Sequence, residues 1–456
     1  MKHLLSQLRA IVGPDHLSTG AAERACASYD GTAQEFLPAI VVWPATVGEV
    51  SRVMAVAQRA GMPVVARGAG SGMTGGALPV AGGLVLAMSR FNRILEIDCA
   101  NQTAVVEPGV VTGVLQAEVR RLGLFYPPDP ASLKFCTLGG NVAEGAGGPS
   151  AVKYGVTRDY VKGLEVVLAD GQVIHTGVRT DKGVVGYDLT RLFVGSEGTL
   201  GIITKIILRL IPLPQAKQTL LVAMDSLPQA AAMVAKVLSY FTPCTLEFMD
   251  RTAIGIVADR WPLALPVGTE AVLLIELDGT GLAVASEGDE LQAFLRREPG
   301  VSLVRQAADA AEAEGLWAAR RAVSPAAFTL RPHKMGEDVV VPRNQIPELV
   351  AFVEGLAREL ELVIFCFGHA GDGNIHVNTM LDRADPRQQA HADIAKQRLF
   401  EKVIELGGTL SGEHGVGMTK SRYLSLEIDS ATMAAMRAIK KALDPSGILN
   451  PGKIFP

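Results

Sequence analysis

Residues 63–76 read Pro63-Val-Val-Ala-Arg67-Gly-Ala-Gly70-Ser-Gly72-Met-Thr-Gly75-Gly76. A short Val-rich run breaks into a turn in which five of the nine residues from Gly68 to Gly76 are glycine. Glycine lacks a Cβ, so such a loop can press its backbone N–H groups against a bound group, most simply a phosphate or pyrophosphate. A surface turn is the other reading, and one glycine loop does not decide between them. Gly70-x-Gly72-x-x-Gly75 also matches the dinucleotide fingerprint letter for letter. That fingerprint needs a helix directly after it, with its N-terminus facing the pyrophosphate. Here Gly76-Ala-Leu-Pro-Val-Ala-Gly-Gly83 follows, and glycine pairs with Pro79 cannot make that helix. Asp98, at about the distance of a ribose-binding acid, is then a coincidence. The stretch predicts a phosphate-bearing cofactor held outside a Rossmann crevice.

Outward from the loop, 456 residues exceed one ordinary core, and 48% hydrophobic with 20% charged residues describes a folded protein. A net charge of -4 and no basic stripe give no reason to expect a nucleic-acid partner, and none is expected. Apolar runs are cut by Gly, Pro or charge before they could span a bilayer. The N-terminus reads as a short amphipathic helix because Gln7 and Arg9 interrupt any signal-peptide core. Five scattered cysteines with no Cys-x-x-Cys point to reduced thiols in a cytoplasmic protein without an all-cysteine iron–sulfur motif.

Residues 1–35 read as short helices and a connection. Thr46-x-x-Glu49 is a capping box, and Val50, Val53, Met54 and Ala57 continue it at helical spacing until Gly61. Strands are expected at 84–88, 94–97 and 104–107, then a helix at 112–121 stopped by Gly123. A second glycine block spans Tyr126 to Gly155, and a third spans Val194 to Ile203. Between them, Asp170-Gly171 predicts a hairpin with a two-residue turn. Three such blocks suggest one extended ligand touched at several places. After Pro214, helical stretches (229–239, 307–321) alternate with strands such as 271–277. The whole reads as α+β, in at least two domains.

Together these blocks resemble the FAD-binding flavoproteins of the vanillyl-alcohol oxidase (PCMH-type) superfamily. Within it the chain is similar to the group of the glycolate oxidase flavin subunit, D-lactate dehydrogenase and D-2-hydroxyglutarate dehydrogenase. The resemblance implies an N-terminal helical segment (1–35) and a two-lobed FAD-binding domain (36–213). It further implies a ferredoxin-like α+β cap (214–425) and a C-terminal segment (426–456) returning to the flavin domain. Arg67, Gly68, Ala69, Gly70, Ser71, Gly72, Thr74 and Gly75 would wrap the pyrophosphate. Pro128, Asp129, Gly139, Gly140, Asn141, Ala143, Gly147 and Gly148 would approach the flavin and its chain. Glu197, Gly198 and Ile203 would hold the adenosine side, with Asn450 near the flavin. Covalent relatives carry a linking His in the first loop; Ser71 stands nearby here, so FAD is expected to be non-covalent, with Cys136 a packed thiol.

The last third holds Gly368-His-Ala-Gly-Asp-Gly-Asn-Ile-His-Val-Asn378 and Ser411-Gly-Glu-His-Gly-Val-Gly417. His376 and Asn378 lie two apart in a strand-like run and face one side, and a Gly-Asp-Gly turn can fold His369 back beside them. His369, His376 and Glu413 make a divalent-metal set, with zinc expected and iron or manganese as alternatives. A structural role for these histidines is the competing reading, which the matching family motif disfavours.

Oxidation of a 2-hydroxy acid removes the hydroxyl proton and sends the C2 hydrogen as hydride to flavin N5. His414 is the candidate base, or else a partner that orients Glu413. Arg320 is favoured over Arg321 as the carboxylate fork, with Ser324, Lys334 and Asn378 as further substrate contacts; the alternative for both arginines is a solvated helix face. The expected activity is FAD-dependent oxidation of a small D-2-hydroxy acid (D-lactate, glycolate or D-2-hydroxyglutarate) to the 2-oxo acid. Electrons would leave for an electron-transfer flavoprotein, an iron–sulfur subunit or a quinone. Membrane association through such a partner and a homodimeric state are compatible with this reading. The alternatives are a non-catalytic FAD subunit of a larger oxidase and a transferase like the flavin-dependent ether-lipid synthases.

Overall fold

The computed structural model describes residues 1–455. The chain forms two compact units. The first takes Met1–Gly147, Val156–Leu213 and the chain from Glu413 onward; the second takes Gly148–Gly155 and Pro214–Gly412. The α+β class expected from the sequence holds. No helix among the described residues is long and apolar enough to cross a membrane.

The first unit contains a four-stranded sheet in which Leu84–Ala87 lies between Ile40–Val42 and Val64–Arg67, parallel to both. A parallel neighbour needs a crossover connection, ordinarily a helix. Here residues 68–83 make the crossover without one, so the glycine loop takes the place of the Rossmann helix. The sheet is anchored by the helix Val47–Arg59, whose Val50, Val53, Met54 and Ala57 are buried against Ile40, Val42 and Leu84. Thr46 caps it by accepting from Glu49 N at 3.2 Å, while the Glu49 carboxylate reaches Ala45 N at 2.7 Å, one residue before the cap. The C-terminal segment joins the same sheet: Val64 N donates to Ile448 O and Asn450 N to Val64 O, at 2.8 and 2.9 Å.

The unit's five-stranded antiparallel sheet runs Ile94–Asp98, Thr103–Val106, Ile202–Arg209, Val161–Val167, Val173–Gly177. Its last hairpin differs from expectation. Leu168 N bonds Gln172 O and Gly171 N bonds Leu168 O, so three residues close the turn. Gly171, at φ +90°, supplies the left-handed position that such a loop needs. Within the second glycine block, Gly139 and Gly140 lie in a helix, Leu138–Glu144. A Cβ on Gly139 would collide with Pro108, so close helix packing accounts for that glycine.

The second unit is built on a seven-stranded antiparallel sheet, ordered Val301–Gln306, Ala216–Met224, Ala271–Gly279, Thr245–Asp250, Val363–Gly368, Asn374–Leu381, His333–Val340. Register places Met249, Phe367, His376 and Asp338 in one cross-strand row, hence on one face. Met249, Phe365 and Phe367 on this face pack with Leu316 and Val323 of the helix Ala310–Ala326. That helix runs five residues beyond the expected stop at Arg321, through Pro325. Arg320 and Ser324 therefore sit one turn apart on one side of it.

Candidate functional site

Arg67 closes its strand and turns its guanidinium under the loop, where Nη2 donates to Tyr29 O at 2.7 Å. Gly70 sits above it at φ +68°, and a Cβ there would run into that guanidinium. The loop is thus held by a buried cation, and only glycine lets the backbone lie this close. Arg67 through Met73 form one wall of a cavity of about 220 Å³. Gly139, Gly140, Asn141, Ala143 and Glu144 form another, and Glu197, Gly198, Ile203, Glu413 and His414 complete it. All of these belong to the first unit.

Other expected cofactor residues lie outside this lining and support it. Thr74 Oγ1 donates to His414 O at 3.0 Å. Pro128 O accepts from Gln116 Nε2 at 2.9 Å, and its neighbour Asp129 is half-buried. Gly75 packs against Met418, and Gly147 against Glu413. Asn450 is buried and its Nδ2 donates to Gly76 O at 2.8 Å and Glu197 O at 2.7 Å, tying two cavity walls together. Gly148 belongs to the second unit. Asn450→Ala leaves two carbonyls without this donor, and we expect a loss of about 1–3 kcal/mol. Thermal release of flavin fluorescence checks this; an unchanged midpoint would contradict the staple.

Glu197 adopts φ +52° and accepts from Val416 N and Gly417 N, both at 2.7 Å. Its side chain thereby fixes the segment that carries Glu413 and His414. Burial still raises its pKa, and burial together with Glu197 and Asp30 raises that of Glu144 well above the ordinary carboxyl range. Lys453, with Nζ donating to Leu78 O at 2.7 Å, is lowered by burial to about 8 despite those carboxylates. Thr137 Oγ1 and Glu144 Oε2, both on the cavity wall, are buried with no partner within the protein. A ligand rich in hydroxyl and N–H groups, as FAD is, satisfies such atoms. The glycine cradle and these orphaned oxygens fit the cofactor. Cys136 is buried on the same wall, with Sγ 3.4 Å from Thr112 Oγ1.

The second unit gathers a different chemistry. Arg320 donates through Nε at 2.7 Å and Nη2 at 2.5 Å to Glu247 Oε2, and stacks over the Phe367 ring at 4.5 Å. The other oxygen of Glu247 lies 2.5 Å from His369 Nδ1. Burial would raise the Glu247 pKa, but the charges of Arg320 and His369 hold it down at about 2. Across the sheet, Asp338 Oδ1 lies 3.7 Å from His376 Nδ1. Asp338 is fully buried and held by Asn374 Nδ2 at 2.6 Å and Gly412 N at 3.0 Å. Both imidazoles therefore turn Nδ1 toward a carboxylate, and their Nε2 atoms approach to 3.4 Å. Two Nε2 lone pairs so placed repel unless a cation or proton lies with them, so the donor set fits a divalent metal. Glu413, expected with them, belongs to the first unit.

Lys334 Nζ donates to Ser324 Oγ at 2.6 Å, and burial lowers its pKa. Asn378 follows His376 on the strand and donates to its carbonyl at 3.0 Å. Arg321 is turned outward and pairs with Glu314. Of the two arginines, Arg320 is the one whose side chain reaches sheet residues, Glu247 and Phe367, although its Nε–Nη2 edge is already committed to Glu247.

Glu247, Asp338 and Glu144 were missed from sequence. A signal existed for the first two: acids inside Thr245-Leu-Glu-Phe-Met-Asp250 and Gly336-Glu-Asp-Val-Val340 interrupt apolar strand runs, and buried acids need a partner.

Residues 38–177 match the FAD binding domain family, and residues 213–454 match FAD linked oxidases, C-terminal domain. The glycolate oxidase subunit GlcD of Bacillus subtilis (strain 168) is 43% identical over 456 residues, covering 100% of this chain and 97% of that protein. A D-lactate dehydrogenase of Anaerostipes hadrus is 36% identical, covering 91% of this chain and 89% of its own. Among solved structures, p-cresol methylhydroxylase with substrate bound superposes with a TM-score of 0.82 at 20% identity, over 99% of this chain and 96% of that one. The resemblance read from the glycine blocks is borne out.

Proposed function

The chain belongs to the FAD-linked oxidases, as an oxidoreductase of the glycolate oxidase and D-lactate dehydrogenase type, and on that premise we propose that it oxidises a small D-2-hydroxy acid, or glycolate, to the 2-oxo acid. The observation that carries this reading is the pair of carboxylate-backed histidines beside two cationic side chains on one sheet face. A hydroxy acid presents a carboxylate and an adjacent hydroxyl, and these residue types suit both groups.

In this reading residues 36–213 hold FAD, residues 214–425 carry the substrate contacts, and residues 426–456 serve the flavin domain. FAD, when bound, supplies a two-electron acceptor. His369, His376 and Glu413 are the residues that would hold a divalent ion, which would supply Lewis-acid polarisation of the substrate oxygens. Arg320 and Lys334 bind the carboxylate, and Ser324 and Asn378 orient the molecule by hydrogen bonds. His414, fixed on the cavity wall by the Glu197 and Thr74 contacts, takes the hydroxyl proton. Glu144 and Thr137 hold the cofactor, which Ser71 leaves uncoupled to the chain. Electrons pass to a protein partner or a quinone, and the relative named as an oxidase subunit supports a multi-subunit assembly.

Anaerobic bleaching of the flavin tests the reading, with D-lactate, glycolate, D-malate and D-2-hydroxyglutarate and the L forms of the chiral acids. One of the panel is expected to reduce the metal-replete protein with a preference for the D form, or for glycolate. Full flavin occupancy with no bleaching by any of them favours a non-catalytic FAD subunit.

A further inference from the structure

The Glu247 carboxylate lies between two groups that the proposed chemistry uses separately. One oxygen takes both donors of an Arg320 edge, and the other faces His369 Nδ1 at 2.5 Å. Glu247 is fully buried. With the proton of His369 held on Nδ1, its Nε2 is left as a lone pair directed toward His376. We propose that Glu247 is a positioning residue that fixes the His369 tautomer for metal ligation and anchors Arg320 with the same carboxylate. A displacement of Glu247 would therefore disturb metal ligation and substrate binding together.

The inference rests on the reading that His369 and His376 hold a divalent metal. It reaches the metal only through this chain's own side chains, and it can be measured without turnover. In FAD-loaded, metal-free protein, nitrogen-15 histidine spectra should show His369 as the Nδ1–H tautomer. Zinc affinity, measured by chelator competition, should fall about 10–100-fold in Glu247→Gln, with FAD content unchanged. Because Glu247→Gln strands the Arg320 charge in a buried site, the double variant Glu247→Gln/Arg320→Gln serves if the single one does not fold, and the same loss is expected. An Nε2–H tautomer in the wild-type protein overturns the proposal. So does wild-type zinc affinity in the folded variant while His376→Ala loses zinc. If His376→Ala also binds zinc normally, the metal reading itself has failed.

Discussion

His376→Ala is expected to lower kcat/KM for the hydroxy acid by about 10³-fold or more while FAD stays bound. Lewis-acid stabilisation contributes several kcal/mol to such a reaction, and each 1.36 kcal/mol is about tenfold in rate. His376 is mostly buried, lies 3.4 Å from His369 through Nε2, and stands with Asp338 behind its Nδ1. Alanine keeps the strand Asn374–Leu381 but removes one of two imidazole donors. The flavin cavity belongs to the other unit and is lined by none of these residues, so the yellow, FAD-loaded protein should survive the change. Stopped-flow reduction with the best acid of the panel measures the loss. If flavin is lost as well, the proposed division of labour between the units is wrong. If turnover persists, His376 is a packing residue.

Gly70→Val is expected to produce folded protein that retains little or no FAD, the reverse of the first result. Gly70 occupies φ +68°, which a β-branched residue strongly disfavours. Its missing Cβ would meet the Arg67 guanidinium, itself bonded to Tyr29 O. To accept a side chain, the loop must lift from Arg67 and give up the wall it presents to the cavity. The adjoining strand is held by Leu84–Ala87 and by Ile448, so the damage should stay local. The ratio of flavin to protein absorbance after purification reads the outcome. A wild-type ratio would show that the glycine crossover is not a cofactor wall.

Local signals were legible in proportion to how local their cause is. Thr46 and Glu49 start a helix through bonds within one turn, and Gly61 and Gly123 end helices through left-handed backbone. Glycine density alone could not tell the loop at Gly70 from the helix at Gly139, since the first needs φ and the second needs room against Pro108. The helix Ala310–Ala326 outruns its sequence signal because its last turn, with Pro325, is stabilised by tertiary packing more than by propensity. The assignment of residues 148–155 to the second unit has no local signature at all.

The sequence by itself determined that the glycine loop, with no helix after it, is not a Rossmann fingerprint, because that follows from steric limits on a few adjacent residues. It also determined the family, through motifs spread along the chain. Only the tertiary structure decided what stands behind the candidate ligands. Glu247 meets Arg320 from 73 residues away and His369 from 122 residues away. A buried charge must find its partner in space, and sheet order, not sequence distance, brings these groups together.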